Sequence, residues 1–86
     1  MPRKVSHILI VDDDIELARR LKHNLMLNNY ECLIAHTGEG ALEFLDSHQI
    51  DLVLLDLGLP GMSGLEVCKR IRECSFRPPS IRLLPE

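Results

Sequence analysis

Four aspartates, at two points of the chain, carry the chemistry that this sequence can do. Asp12, Asp13 and Asp14 follow one another at the end of the run His7-Ile-Leu-Ile-Val11, and Asp56 closes the run Asp51-Leu-Val-Leu-Leu. Carboxylates gathered at one place repel, and each raises the pKa of the others unless a positive group compensates. A cation is the natural partner. Donors that are all oxygen select a hard ion, and carboxylates with water suit Mg2+ or Mn2+. A carboxylate that stands alone on its strand can also act as a nucleophile, and a divalent ion beside it lowers the barrier for an arriving phosphoryl group by neutralising charge on its oxygens. On this chemistry Asp56 is the candidate nucleophile, and Asp12 and Asp13 are candidate metal ligands. Strand-end aspartates also cap helices and turns. That plainer role suits Asp14, but not Asp12 and Asp13 if they converge on Asp56.

Convergence depends on the elements that hold these residues. The run from His7 to Val11 is apolar and branched without alternation, as a strand buried on both faces of a parallel sheet would be. Asp14 is a good N-cap, and Ile15, Ala18, Leu21 and Leu25 follow at helical spacing before Asn28-Asn29 ends the helix. Glu31 to Ala35 is a short second strand. Thr37-Gly38 turns the chain into a second helix with Ala41, Leu42 and Leu45 on its apolar stripe. Asp51 to Asp56 is a third strand, Leu57 to Gly64 a loop, and a third helix runs from about Leu65 to Glu73. Ser80 to Leu84 is a candidate fourth strand. Strand and helix alternate, which predicts βαβ units with right-handed crossovers and a parallel sheet. In such open sheets the active groups gather at the carboxyl ends of strands, where strand order reverses. If the first and third strands are neighbours, Asp12, Asp13 and Asp56 meet.

The two motifs, Ile8-Leu-Ile-Val-Asp-Asp-Asp14 and Asp51-Leu-Val-Leu-Leu-Asp-Leu-Gly-Leu-Pro-Gly-Met-Ser-Gly-Leu-Glu66, resemble those of a response-regulator receiver domain of two-component signalling over roughly residues 5 to 73. The resemblance implies a flavodoxin-like, doubly wound open parallel sheet, incomplete here, with three clear strand-helix units and the candidate fourth strand. It implies that Asp56 accepts a phosphoryl group from a histidine kinase or phosphotransfer protein. It also implies that Asp13 binds Mg2+ (or Mn2+) directly, that Asp12 acts beside it largely through water, and that Gly58 offers its backbone carbonyl to the same ion. Pro60, Gly61 and Gly64 would shape the loop, with Gly64 closing it before the third helix. Ser63 stands where the family commonly has an aspartate. The family's switch hydroxyl would fall at about Leu84 to Glu86, where none is present, and its lysine has no counterpart.

Strands beginning near His7, Glu31 and Asp51 set a repeat of 20 to 24 residues, so five units would need on the order of 120 residues. The 86 residues therefore read as a single receiver-like domain over 1–86, truncated on its C-terminal side, with an atypical tail over 76–86. In that tail Arg82 and the prolines 78, 79 and 85 would be poorly tolerated by a central strand. An apolar third strand left at an edge would favour a homodimer.

The formal net charge of −3 gives no basic face for nucleic acid, and no apolar run approaches a membrane span. Three cysteines without CxxC spacing and the absence of a signal peptide predict reduced thiols in a cytoplasmic protein. Cys68 and Cys74 read as independent, and His7, His23, His36 and His48 show no metal spacing. The chain therefore reads as a phosphoacceptor module and not a turnover enzyme. The alternatives are a degenerate receiver serving only interaction or dimerisation, and, more remotely, a haloacid-dehalogenase-like phosphatase. Asp12-Asp13-Asp14 contains an Asp-x-Asp pair suited to the phosphatase, but Glu16 stands where a Thr or Val would be expected and the length leaves no room for its other motifs.

Overall fold

A computed structural model of the chain describes residues 7–59, 61–74 and 79–84. The elements follow the alternation seen in the sequence: β1 (His7–Val11), α1 (Ile15–Leu27), β2 (Glu31–Ala35), α2 (Gly38–Ser47), β3 (Leu52–Asp56), α3 (Gly64–Cys74) and β4 (Ser80–Leu84). Pro60, residues 75–78 and residues 85–86 lie outside the described residues, as does the Cys74 side chain.

The four strands form one parallel sheet in the order β2-β1-β3-β4. From β1 the chain steps to β2 on one side and then crosses to β3 on the other, so strand order reverses beside β1. This is the topological switch point at which such sheets place their ligands. The residues of β1 are apolar on both faces because both faces are covered. Leu9 and Val11 join Ala35, Ala41, Val53, Leu55, Val67 and Ile71 in the cluster beneath α2 and α3. Ile8 and Ile10 join Ala18 and Cys32 on the opposite face, with Leu21 and Leu25 of α1 packed against them. Leu9, Ile10 and Val11 are fully buried.

The ends of α1 explain its length. Its N-cap, Asp14, accepts a hydrogen bond from the Leu17 amide at 3.1 Å. At the other end Asn29 sits at φ 69°, in the left-handed region that asparagine tolerates better than most residues. The Asn29 amide donates to Met26 O at 3.1 Å and the Tyr30 amide to Leu25 O at 3.1 Å. That paired closure is a Schellman motif, and it turns the chain directly into β2. Thr37 caps α2 in the same way as Asp14 caps α1, its hydroxyl oxygen accepting from the Gly40 amide at 3.0 Å.

The candidate fourth strand forms with the expected bounds, as β4. The stretch with Arg82 at its middle does form a strand, with Leu52 to Asp56 registered against Ser80 to Leu84. It is the outer strand of the described sheet, so it need not be apolar on both faces. Ile81 packs on the core beneath α2 and α3, while Arg82, registered with Leu54, is exposed. A charge at a sheet edge is tolerated there and discourages pairing with other chains. β3 lies between β1 and β4, so a homodimer argued from an exposed β3 edge has no support in this topology. No helix among the described residues is long and apolar enough to cross a membrane.

A three-carboxylate site at the carboxyl edge of the sheet

Parallel strands end at a common edge, and register decides which residues meet there. Val11 is paired with Leu55 across β1 and β3, so the next residues, Asp12 just past β1 and Asp56 at the last position of β3, stand side by side. Asp13 is one residue further on. One carboxylate oxygen from each of Asp12, Asp13 and Asp56 lies within 4.8 Å of the others. Asp12 is buried, Asp56 half-buried and Asp13 exposed, which leaves the cluster open to solvent on one side. The sequence-predicted carboxylates are thus brought together, and Asp14 is kept apart as the cap of α1.

Short-range hydrogen bonds fix two of the three. Asp12 Oδ1 accepts from the Asp14 amide at 2.9 Å, and Asp56 Oδ1 accepts from the Gly58 amide at 2.9 Å. Both are Asx turns, in which the carboxylate bonds the amide two residues on and holds the chain in a turn. Burial is the main influence raising the Asp12 pKa above the ordinary carboxylate range. The Asp14 amide opposes it, and the neighbouring Asp56 and Asp13 add to it. Among the described residues no basic side chain is among the influences on Asp12, and uncompensated carboxylates are the condition under which a bound cation relieves the most strain.

The direction of that shift predicts a pH effect. A group whose folded pKa lies above its unfolded value stabilises the fold fully below the unfolded value, and that stabilisation is lost as pH rises through the folded value. At neutral pH, ionised Asp12 therefore weakens the metal-free protein. Asp12→Asn keeps an oxygen to accept from Asp14 and removes the charge. In chelator at pH 7 the variant should be more stable than wild type, by on the order of 1 kcal/mol in thermal or urea unfolding, and the gain should shrink as pH falls toward 4. A variant less stable than wild type at pH 7 would contradict this.

The loop after β3 is shaped by two further residues. Gly64 opens α3 so close to the end of β3 that a Cβ there would meet Asp56 O and Leu57 Cα, each at 2.9 Å. Ser63 caps α3, its Oγ accepting from the Glu66 amide at 3.2 Å and its carbonyl from the Val67 amide at 3.0 Å. An aspartate would serve equally as that cap, so the departure at Ser63 leaves the helix start intact. Leu84 is registered beside Asp56 at the end of β4; the strand position nearest the phosphoacceptor candidate therefore carries no hydroxyl.

One residue of the site was not visible as such in the sequence. His36, the first residue after β2, places its ring Nδ1 3.1 Å from the carbonyl oxygen of Asp12. The sequence carried no signal of it, because the contact follows from the register that pairs Val11 with Ala35.

A groove of about 630 Å³ lies at the opposite end of the sheet, lined by Lys22, Met26, Cys32, Leu33, His48 and Ile50 among others. Two residues at its rim, His7 and Glu31, are engaged in joining strands. His7 Nε2 is 2.8 Å from Glu31 on β2, and the His7 amide donates to Asp51 Oδ2 at 3.0 Å. Cys68 is buried in the core under α3. The reactive geometry is at the carboxyl edge.

The family described as response regulator receiver domain matches residues 8–84. The transcriptional regulatory protein KdpE of Mycobacterium tuberculosis is 43% identical over 65 residues, covering 76% of this chain and 29% of its own length. The response regulator ArlR of Staphylococcus haemolyticus is 42% identical over 74 residues, covering 86% of this chain and 34% of its own. The chain thus spans about a third of the length of these curated relatives. Among solved structures, the response regulator TrrA of Thermotoga maritima, in complex with Mg2+-BeF, is 41% identical with a TM-score of 0.86, covering 93% of this chain and 69% of that one. A response regulator receiver protein from Pseudomonas putida superposes with a TM-score of 0.89 at 25% identity, over 98% of this chain and 70% of that one.

Proposed function

The chain belongs to the response-regulator receiver domain family, and from that premise we propose that it accepts a phosphoryl group on Asp56 beside a divalent cation, Mg2+ or Mn2+, held by Asp12, Asp13, Asp56 and the Gly58 carbonyl. One observation carries the proposal: the oxygens of Asp12, Asp13 and Asp56 lie within 4.8 Å of one another at the switch point of the sheet. The donor set fits the ion, because three carboxylates without nitrogen or sulfur ligands suit a hard cation and leave room for water. A relative 41% identical is known in complex with Mg2+-BeF, which supports the same reading.

The chain's own residues divide the work. The Gly58 amide holds Asp56 Oδ1, which orients the carboxylate so that Oδ2 is the attacking oxygen. Attack on the phosphorus of a phosphohistidine donor forms an O–P bond as the P–N bond breaks, and the departing imidazole nitrogen takes up a proton. Asp56 is left as a mixed acyl phosphate. A bound divalent cation supplies neutralisation of the charge on the transferring oxygens. Asp12 and Asp13 hold that charge-neutralising position, and Asp13, being exposed, leaves the approach open. The donor is a histidine kinase or a phosphotransfer protein. The chain takes one phosphoryl group and passes on a signal, without the turnover expected of the phosphatase alternative, which the family match does not favour.

Borohydride converts an aspartyl phosphate to homoserine and so marks the modified position. After incubation with a small phosphoramidate donor and Mg2+, the homoserine should be found at position 56 by peptide mass mapping. Homoserine at another aspartate, or a stable phosphate on Ser63, would refute the assignment.

A further inference from the structure

We propose that His36 is a positioning residue for the carboxylate site, its ring holding the peptide plane that joins Asp12 to Asp13. The inference rests on the cation reading above and adds a group that takes no part in ligation. A carbonyl oxygen can only accept a hydrogen bond, so the contact of 3.1 Å between His36 Nδ1 and Asp12 O requires Nδ1 to carry the proton and donate.

The geometry makes this bond more than a surface contact. The β1–β2 ladder ends with the pair Val11 and Ala35, and the Asp12 amide still donates to Ala35 O at 3.0 Å. The Asp12 carbonyl points into the space beyond the ladder, where the His36 ring supplies the next rung from a side chain. Asp12 is thereby held at three atoms: its amide by Ala35, its carbonyl by His36, and its Oδ1 by the Asp14 amide at 2.9 Å. The held carbonyl belongs to the rigid peptide unit whose far end is the Asp13 nitrogen and Cα. Fixing that plane sets the direction in which Asp13 leaves the chain, and so the spacing between the carboxylates of Asp12 and Asp13. Groups that orient ligands in this way commonly change metal affinity by 10- to 100-fold when removed.

His36 is exposed, so its replacement should leave the fold itself nearly unchanged. The test is Mg2+ binding to the whole chain by titration calorimetry, with the metal-free unfolding midpoint measured alongside. His36→Ala should weaken Mg2+ roughly tenfold while the midpoint without metal stays near that of wild type. His36→Asn places an amide N–H where Nδ1 stands and should recover most of the lost affinity. His36→Leu matches asparagine in shape without a donor, and takes the place of alanine in the comparison if the alanine variant fails to fold. Affinity in the donor-less variant equal to wild type would overturn the proposal and leave the cation site standing. Equal weakening in His36→Asn and the donor-less variant would overturn it too, since the donated bond would then not be the cause. If wild type and Asp13→Asn both fail to bind Mg2+, the cation reading itself falls, and this proposal with it.

Discussion

Mg2+ at about a hundredfold excess over its Kd should stabilise the wild-type chain by about 2.7 kcal/mol, and Asp13→Asn should abolish nearly all of that gain. The size follows from linkage, since an ion that binds only the folded state adds RT ln(1 + [L]/Kd) to its stability. For a domain of this size each kcal/mol moves the midpoint by roughly 4–8 °C, so a rise of about 10–20 °C is expected in a thermal melt. The origin is the crowding of Asp12, Asp13 and Asp56, whose oxygens lie within 4.8 Å of one another. Asp13 is the informative position because it is exposed; its substitution costs the fold little and its effect is confined to the ion. Ca2+, larger and less demanding in geometry, is a useful comparison. A wild-type midpoint that does not respond to Mg2+ or Mn2+ would mean that the three carboxylates do not act as one site.

The second large effect is structural, and it lies under Asp56. Gly64→Ala should destabilise the protein by roughly 2–3 kcal/mol, the upper part of the range for forcing volume into a packed position. The added Cβ would meet Asp56 O and Leu57 Cα at 2.9 Å, both main-chain atoms that cannot swing aside as the end of a side chain can. Relief has to come from moving α3 away from β3 or from moving the Asp56–Leu57 peptide. The second route displaces Asp56, so the variant should lose Mg2+ affinity as well as stability. Gly61 is the control. It sits at φ +76°, and among the described residues nothing lies within 4 Å of where a Cβ would stand, so Gly61→Ala should cost only the strain of a left-handed residue, about 1–2 kcal/mol. It should leave the cation site less disturbed. Equal losses of affinity in the two variants would show that close packing against β3 is not what Gly64 contributes.

How far the sequence disclosed this arrangement depended on what each element needs from its residues. β1 and β3 were legible because a strand covered on both faces must be apolar throughout, and in both the run stops at an aspartate. The meeting of Asp12, Asp13 and Asp56 was legible as a consequence of topology, since parallel strands share one carboxyl edge. β4 was legible as a candidate strand over Ser80 to Leu84, but its place in the sheet was not. As the outer strand it needs only Ile81 on the core, so Arg82 in its middle disguised that place. His36 was not legible, because its partner is a main-chain carbonyl brought near by the register of β1 with β2. No spacing of side-chain types encodes such a contact. Ser63 was read as a departure from a family pattern, whereas its local task is to cap α3.

Intact mass measured after incubation with a small-molecule phosphodonor tests the central claim most directly. Wild type with Mg2+ should gain one phosphoryl group, the gain should disappear when chelator replaces Mg2+, and Asp56→Asn should gain none. A phosphoryl group on Asp56→Asn, or a wild-type gain indifferent to chelator, would contradict the account.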